Sequence, residues 1–124
     1  MSRKLISWVR DGCKANYVKK DHCEKCKTTE GQLEVHHLHT VSLIVGNFLK
    51  GREELSVDEF RAAIYEAHWP ELVEETVTLC VPCHERLHKI YGVAPSLLTA
   101  EKQRRWVFST KKRKSLLSPR YYSI

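Results

Sequence analysis

The sequence predicts a small α+β fold that is mostly helical, and three observations support this prediction. The chain has 124 residues, of which 42% are hydrophobic, so it is long enough for one domain with a small core. Helical periodicity recurs along the chain, whereas only two short segments have the alternation or β-branching that is typical of strands. A Cys-x-x-Cys pair lies close to each of these two segments, so pairing the strands in a hairpin would bring four sulfur atoms together.

The elements of the first half of the chain are indicated by the spacing of apolar residues. Apolar side chains at helical intervals predict a helix over residues 3–18, which is also strongly basic. Residues 22–26 read as a tight turn that presents two sulfurs, and residues 33–35 alternate as a short strand does. The mostly apolar segment 41–49, which is followed by glycine, predicts a short helix.

The second half contains clearer signals for where helices begin and end. Ser56 and Glu59 have the spacing of a capping box, which predicts the start of a helix that Pro70 ends. The β-branched stretch 76–79 predicts the second strand. Two more helices are predicted, one over residues 83–91 between Pro82 and Gly92 and a last one from residue 99 to residue 106.

Charge is spread unevenly along the chain, whose formal net charge is +6. Residues 1–27 and the tail 102–124 each contain eight lysines and arginines, whereas residues 28–101 contain twelve acidic and five basic residues. Two basic ends around an acidic middle indicate a polyanionic partner, although the tail could also serve only solubility. The candidate phosphate contacts of the C-terminal part are Arg104, Arg105, Lys111, Lys112, Arg113 and Lys114.

Cysteine usage indicates a metal rather than disulfides. The sequence shows no run of about 18 apolar residues and no apolar stretch after its first residues, so a cytoplasmic protein with reduced thiols is expected. Paired spacing then predicts one closed structural zinc site, and the alternative is a set of free buried cysteines. Cys13 stands outside any pair and is expected to be a buried structural thiol. The predicted zinc ligands are Cys23, Cys26, Cys80 and Cys83.

Four histidines predict a second, open metal site. His84 and His88 are four residues apart on a predicted helix, so both rings project from one face. His36 and His37 follow the first strand, and in extended backbone their side chains point to opposite sides, so that one can bind a metal while the other faces a substrate. A metal with a free coordination position beside a neutral imidazole is suited to the hydrolysis of a phosphodiester.

Other meanings of these motifs fit less of the sequence. His84-Glu85-x-x-His88 matches the metalloprotease pattern, but that interpretation leaves the two adjacent histidines unexplained. Cys80-x-x-Cys83-His84 matches a haem-attachment pattern, which requires export and leaves the first cysteine pair unused. A finger with two cysteines and two histidines fails because the gap between the pairs is far too long.

These motifs together resemble the HNH nuclease family over residues 20–91. The matching elements are Cys23-Glu-Lys-Cys26, Leu33-Glu-Val-His36-His37-Leu38, Thr78-Leu79-Cys80-Val-Pro-Cys83-His84 and His88. The resemblance implies a ββα-metal motif, in which a two-stranded hairpin and a helix hold one divalent metal ion, with the zinc-bound double knuckle and helices on either side. It implies one nuclease domain over residues 1–124 that hydrolyses DNA with Mg, Mn, Ni, Co or Zn.

The resemblance also implies roles for single residues. His37 matches the general base that activates the attacking water, and His36 and His84 match the metal ligands. His88 resembles the extra ligand of members with an all-histidine site. Cleavage would leave 5′-phosphate and 3′-hydroxyl ends. Relatives of this kind occur in bacteria and phages, so the expected location is a bacterial or phage-infected cell, with a homodimer or a targeting protein as further partners.

The sequence departs from the family at one position, because Glu75 stands where the family has a central Asn. Glu75 could orient His37 through a ring N–H, or Glu74 or Asn47 could take the place of the Asn. This departure keeps an alternative function open, namely a non-catalytic, zinc-stapled module that binds nucleic acid. The long insert after His37 is expected to be a helical cap, with a DNA-contacting or dimerising element as the alternative.

Overall fold

A computed structural model describes residues 3–109 of the chain, and these contain five α-helices and one two-stranded sheet. The prediction of a small α+β fold is therefore confirmed. The predicted phosphate contacts Lys111, Lys112, Arg113 and Lys114 lie outside the described residues. The elements are α1 (Arg3–Cys13), β1 (Leu33–His37), α2 (Val41–Leu49), α3 (Val57–Trp69), β2 (Thr76–Cys80), α4 (Val81–Tyr91) and α5 (Ala100–Phe108). Three short turns of helix complete them, two of the 3₁₀ type (Lys14–Asn16 and Leu97–Thr99) and one of the π type (Pro70–Glu74).

The two strands form an antiparallel pair whose register places one predicted cluster at each end. Leu33 at the start of β1 pairs with Cys80 at the end of β2, and His37 pairs with Thr76. Helix α4 begins directly after β2 and packs against both strands. The hairpin and α4 thus bring the second cysteine pair towards the first and bring the face of α4 towards His36.

Helices α1, α2 and α3 form the first of two hydrophobic cores. Its largest members are Phe60, Ile64 and Leu72, and all three are buried. The close approach of α1 and α3 depends on Gly12, because a Cβ there would lie 2.0 Å from the Tyr65 hydroxyl oxygen. That hydroxyl donates to the Val9 carbonyl at 2.8 Å, so the small residue permits a hydrogen bond between the two helices.

The second core lies between the sheet, α4 and α5, and it contains three of the paired cysteines. Leu79 of β2, Leu87 of α4 and Val107 of α5 are fully or nearly fully buried in it. This core is small and partly built from sulfur, which is the situation in which a metal ion contributes most to stability. Among residues 3–109, no helix has the length and apolar character needed to cross a membrane.

The structure corrects two predicted boundaries and adds a turn after a third. The predicted helix 3–18 is too long, because α1 ends at Cys13 and Tyr17 already has extended backbone after a 3₁₀ turn. The strand predicted at 33–35 continues through His37. Helix α3 ends before Pro70 as predicted, but a π turn follows, closed by the Glu75 amide that donates to the Pro70 carbonyl.

The capping box is present as predicted. The Ser56 hydroxyl accepts from the Glu59 amide at 3.1 Å, and the Glu59 carboxylate accepts from the Ser56 amide at 2.9 Å. Helices α2 and α3, which form the insert after β1, pack with α1 in the first core and leave β1 and β2 as direct neighbours.

Candidate metal centres

Four sulfur atoms converge at the β1 start of the hairpin. The Sγ atoms of Cys23, Cys26, Cys80 and Cys83 all lie within 4.8 Å of one another. Cys26 Sγ and Cys80 Sγ are 3.7 Å apart, which is far longer than a disulfide of about 2.05 Å. A tetrahedral zinc ion with bonds of about 2.3 Å separates its sulfur ligands by roughly 3.8 Å. The cluster therefore fits a metal ion.

The surroundings of the thiols favour the ionised form of Cys23 and oppose that of Cys83. Burial raises the pKa of the Cys23 thiol, but hydrogen bonds from the backbone of Cys26, Cys80 and Lys25 outweigh it and lower the pKa to about 6. Burial raises the pKa of Cys83 to about 12, although the Arg86 guanidinium donates to its Sγ at 3.0 Å. Four adjacent thiolates repel one another in a buried site, so a divalent cation is required to hold all four.

The second cluster consists of three imidazoles that converge next to the sheet. His36 of β1 meets His84 and His88 of α4, and one nitrogen of each lies within 4.8 Å of the others. His36 Nδ1 is 3.1 Å from His84 Nε2, and His88 Nε2 is also 3.1 Å from His84 Nε2. Around a divalent cation such as Zn²⁺, nitrogen and oxygen ligand atoms are separated by roughly 3.0 Å in octahedral and 3.4 Å in tetrahedral geometry.

The outer nitrogens of these rings are all held by oxygen atoms. His36 Nε2 is 2.7 Å from Gln103 Oε1, and His84 Nδ1 is 2.8 Å from Glu34 Oε1. His88 Nδ1 is 2.8 Å from the Gly92 carbonyl oxygen. An oxygen that only accepts requires an N–H on the ring, so each outer nitrogen carries the proton and each inner nitrogen presents a lone pair.

The orientation of the Gln103 amide is fixed by its other contacts. Its Nε2 donates to the Leu38 carbonyl at 3.3 Å and to the Thr99 hydroxyl at 3.0 Å, so its oxygen faces His36. Burial lowers the pKa of His36 to about 4, against the opposing effect of Gln103, and the ring is therefore neutral. Converging lone pairs of three rings repel one another unless a cation lies between them, so this cluster also fits a metal ion.

His37 projects from the other side of β1. Its Nε2 lies 2.9 Å from the Leu72 carbonyl oxygen and 2.9 Å from the Tyr17 hydroxyl. The carbonyl can only accept, so Nε2 carries the proton and Nδ1 holds a lone pair, for which residues 3–109 supply no hydrogen-bond partner. Burial lowers the pKa of His37 and the charge of Arg10 lowers it further, while Leu72 opposes both. His37 is thus an oriented, neutral imidazole.

A cavity of about 410 Å³ is lined both by the three clustered histidines and by His37. Its floor is formed by the end of β1 and the facing side of α4, and its mouth is open to solvent. The arrangement combines a cation site, an unligated base and space for a substrate. The lining residues are Arg10, Lys14, Tyr17, Val35, His36, His37, Thr40, Val41, His84, His88, Val93 and Pro95.

Glu75 has a different partner from the one expected. Its carboxylate lies 2.6 Å from His39 Nε2 and 3.7 Å from the Arg104 guanidinium. The orienting hydrogen bond to His37 comes from the Leu72 carbonyl instead. Neither of the alternatives, Glu74 and Asn47, is a described partner of His37. Asn47 lines a separate cavity of about 120 Å³ together with His39.

Several contributing residues were missed by the sequence analysis. Glu34 precedes His36 by two residues, so the period of the strand could have placed both on one face. Tyr17, Leu72 and Gln103 act through tertiary contacts across 20, 35 and 67 positions, and no local pattern marks them. Arg104, which was expected to contact phosphate, is paired with Glu75 and Glu101.

A comparison with known families identifies the family to which the chain belongs. The model of the nicking endonuclease family, which is named after phage T5, matches residues 1–116. This match covers most of the 124 residues, so the chain belongs to the nicking endonuclease family and is an endonuclease that acts on DNA. No solved structure matches the chain.

Proposed function

We propose that this member of the nicking endonuclease family is an HNH-type enzyme that cuts DNA with one divalent metal ion and a histidine base. The observation that carries the proposal is the convergence of three imidazole lone pairs beside the free Nδ1 of His37 in one open cavity. Family membership supports DNA as the substrate and a nick in one strand as the product.

In this proposal His36, His84 and His88 hold the catalytic cation. The cation is Mg, Mn, Ni, Co or Zn, and when bound it neutralises negative charge that develops on a phosphate oxygen and on the leaving 3′ oxygen. Glu34, Gln103 and the Gly92 carbonyl keep the three rings in the tautomer that presents a lone pair.

His37 is the proposed general base. Its Nε2–H is fixed on the Leu72 carbonyl, so Nδ1 can accept the proton of a water molecule that attacks the phosphorus in line with the leaving 3′ oxygen. The water proton passes to Nδ1 and the bond from phosphorus to the 3′ oxygen breaks as the new P–O bond forms. The leaving 3′ oxygen takes a proton from solvent in the open cavity, so the products carry a 5′-phosphate and a 3′-hydroxyl. Because the ring is neutral at physiological pH, it is ready to accept the proton.

Glu75 is proposed as a positioning residue rather than as a group that touches substrate. Its carboxylate binds His39, and its carbonyl accepts from the Leu38 amide at 3.2 Å. Both contacts hold the segment that directly follows His37. Glu75 would thus replace part of the role of the family Asn by holding the backbone that follows His37.

The four-cysteine cluster is proposed to hold a structural zinc ion. The pair of strands with α4 then corresponds to a ββα-metal motif, which is fixed by zinc at one end and carries the catalytic site at the other. The nuclease domain is proposed to extend over residues 1–124. Both ends of the described chain contribute to the site, since Tyr17, after α1, contacts His37 and Gln103 of α5 contacts His36.

The test is the relaxation of supercoiled plasmid with each of the five metals. The unaltered protein should produce nicked circles, and His37→Ala should lower the rate by about 10²- to 10⁴-fold, the usual contribution of a general base. His22→Ala is the matched control, because His22 pairs only with Asp21 on the surface and should cut normally. Zinc content should be unchanged in both variants.

Two outcomes contradict the proposal. If the purified protein binds DNA but cuts with none of the metals, the alternative of a non-catalytic binding module is correct. If His37→Ala cuts as fast as His22→Ala, the base is a different residue.

A further inference from the structure

The cavity has a second wall that the proposed mechanism does not use. Arg10 of α1 and Lys14 of the following turn are four residues apart and both line the cavity that contains His36 and His37. The end of α1 and the turn after it therefore contribute two cationic side chains to the cavity that contains the histidine cluster, although they lie far from β1 and α4 in the sequence.

The two basic residues differ in how far their charge is neutralised. Lys14 forms an ion pair with Asp11 at 3.2 Å, and both side chains are well exposed. Arg10 makes no hydrogen bond and no ion pair with any residue between 3 and 109. It nevertheless lines the same cavity as His37.

The charge of the cavity wall differs from that of the sequence around it. Residues 28–101, which supply most of the wall, contain twelve acidic residues and five basic ones. None of the described residues that line the cavity is acidic, and the only formal charges among them are those of Arg10 and Lys14. The cavity therefore attracts an anion even before a metal ion is bound.

We propose that Arg10 binds a backbone phosphate of the DNA strand that is cut, and that Lys14 assists it more weakly. This proposal rests on the proposed function, because it concerns the substrate of the same cavity. The planar guanidinium of Arg10 can donate two parallel hydrogen bonds to phosphate oxygens, which fixes the strand in position as well as attracting it.

Arg10 is better placed to bind phosphate than Arg104 of α5, which the sequence also suggested as a phosphate contact. Arg104 already has two carboxylate partners, Glu75 and Glu101, so a phosphate would have to compete with both. Arg10 is exposed, lines the same cavity as the proposed base and has no ion-pair or hydrogen-bond partner among residues 3–109, so it can bind phosphate without breaking a contact described there.

Binding is tested without cleavage, in a protein that also carries His37→Ala. Fluorescence anisotropy of a labelled DNA duplex is measured at several salt concentrations without added divalent metal. Arg10→Gln should weaken binding about tenfold and reduce the slope of log K against log salt by about 1. Lys14→Gln should have a smaller effect, and Arg10→Lys should restore the slope but only part of the affinity, because it keeps the charge and loses the fork.

Lys50→Gln is the charge-matched control. Lys50 is exposed at the end of α2 and does not line the cavity, so its removal lowers the net charge equally without touching the site. In the protein with an intact His37, Arg10→Gln should also lower kcat/KM for nicking by tenfold or more, while Lys50→Gln leaves it nearly unchanged. Thermal midpoints of all variants should agree, since both side chains are exposed.

The results separate this inference from the proposed function. If Arg10→Gln and Lys50→Gln weaken binding equally, Arg10 is ordinary surface charge and the inference is overturned. If Arg10→Gln weakens binding selectively but the unaltered protein never cuts, the phosphate contact stands and the nuclease mechanism fails.

Discussion

The thiol cluster and the histidine cluster are built on the same hairpin and the same helix, yet their surroundings are opposite. Three of the four cysteines are buried, and their sulfurs are surrounded by backbone N–H groups and Arg86. The histidines face an open cavity, and their outer nitrogens are fixed by oxygen atoms. One cluster is enclosed by the chain, and the other leaves one side free.

This difference assigns the two clusters different work. Four thiolates use every coordination position of a tetrahedral ion, so such a metal can only hold the chain together. Three imidazoles would leave positions free for water and phosphate oxygens, so a metal ion held by them could take part in chemistry. Loss of the first metal should therefore affect folding, and loss of the second should affect cleavage alone.

The largest effect is expected for Cys23→Ser. A zinc ion held by the four cysteines would join the segment before β1 to the end of β2, and the folding of small zinc sites is coupled to metal binding worth about 10 kcal/mol or more. The variant should lose zinc and the ordered hairpin, as measured by metal analysis and circular dichroism. Nicking should vanish with the fold.

Cys13→Ser is the matched control for that experiment. Cys13 is buried in the helical core, away from the cluster, and its Sγ donates to the Val9 carbonyl at 3.3 Å. A serine hydroxyl can make the same hydrogen bond, so about 1 kcal/mol of stability should be lost and the zinc retained. A Cys23→Ser protein that stays folded with one zinc bound would contradict the four-thiolate site.

The next effect in size is expected for Gln103→Leu. Leucine leaves the buried Nε2–H of His36 without an acceptor, and the loss of such a supporting group typically lowers metal affinity by about 10- to 100-fold. The concentration of Mn²⁺ that gives half-maximal nicking should rise by that factor. Saturating Mn²⁺ should restore most of the rate, and the zinc content should stay at one.

Gln32→Leu is the control for the same chemical change at an exposed position before β1. It should leave the half-saturating Mn²⁺ concentration unaltered. If Gln103→Leu behaves in the same way, the interpretation of Gln103 as the group that fixes the tautomer of His36 is wrong.

The two clusters also differ in how far the sequence predicted them. The candidate ligands of both clusters were predicted from local spacing. Which ligand atoms can meet is determined by the Cys-x-x-Cys turns, the i, i+4 histidine pair and the two strands adjacent to them. The structure brings together Cys23, Cys26, Cys80 and Cys83 in one cluster and His36, His84 and His88 in the other.

The groups that orient these ligands could not be predicted in the same way. Gln103 reaches His36 from α5, and Tyr17 reaches His37 from the end of α1, so both depend on how helices pack against the hairpin. Glu75 was assigned to His37 by its position in the sequence, but the π turn before β2 directs its side chain to His39. Local spacing describes a strand or a helix, whereas a turn of this kind is decided by tertiary packing.

The smallest effect is expected for Ser56→Ala, at the exposed N-cap of α3, the helix that packs in the first core. The capping box satisfies two amide groups at the start of α3, and its loss should cost about 1 kcal/mol, or about 3–5 °C in thermal midpoint for a chain of this size. Ser42→Ala, inside α2, is the matched control and should change stability by less than about 0.5 kcal/mol.

Activity gives this last variant its value, because it tests whether the helical core and the hairpin core act separately in the native state. Helix α3 packs in the first core, which contains none of the candidate metal ligands, so half-saturating Mn²⁺ and zinc content should match those of the unaltered protein at temperatures well below the midpoint. A shift in Mn²⁺ dependence with Ser56→Ala would show that the start of α3 is coupled to the histidine cluster. The π turn, which joins α3 to β2 and carries the Leu72 carbonyl bound to His37, is the path by which such coupling would act.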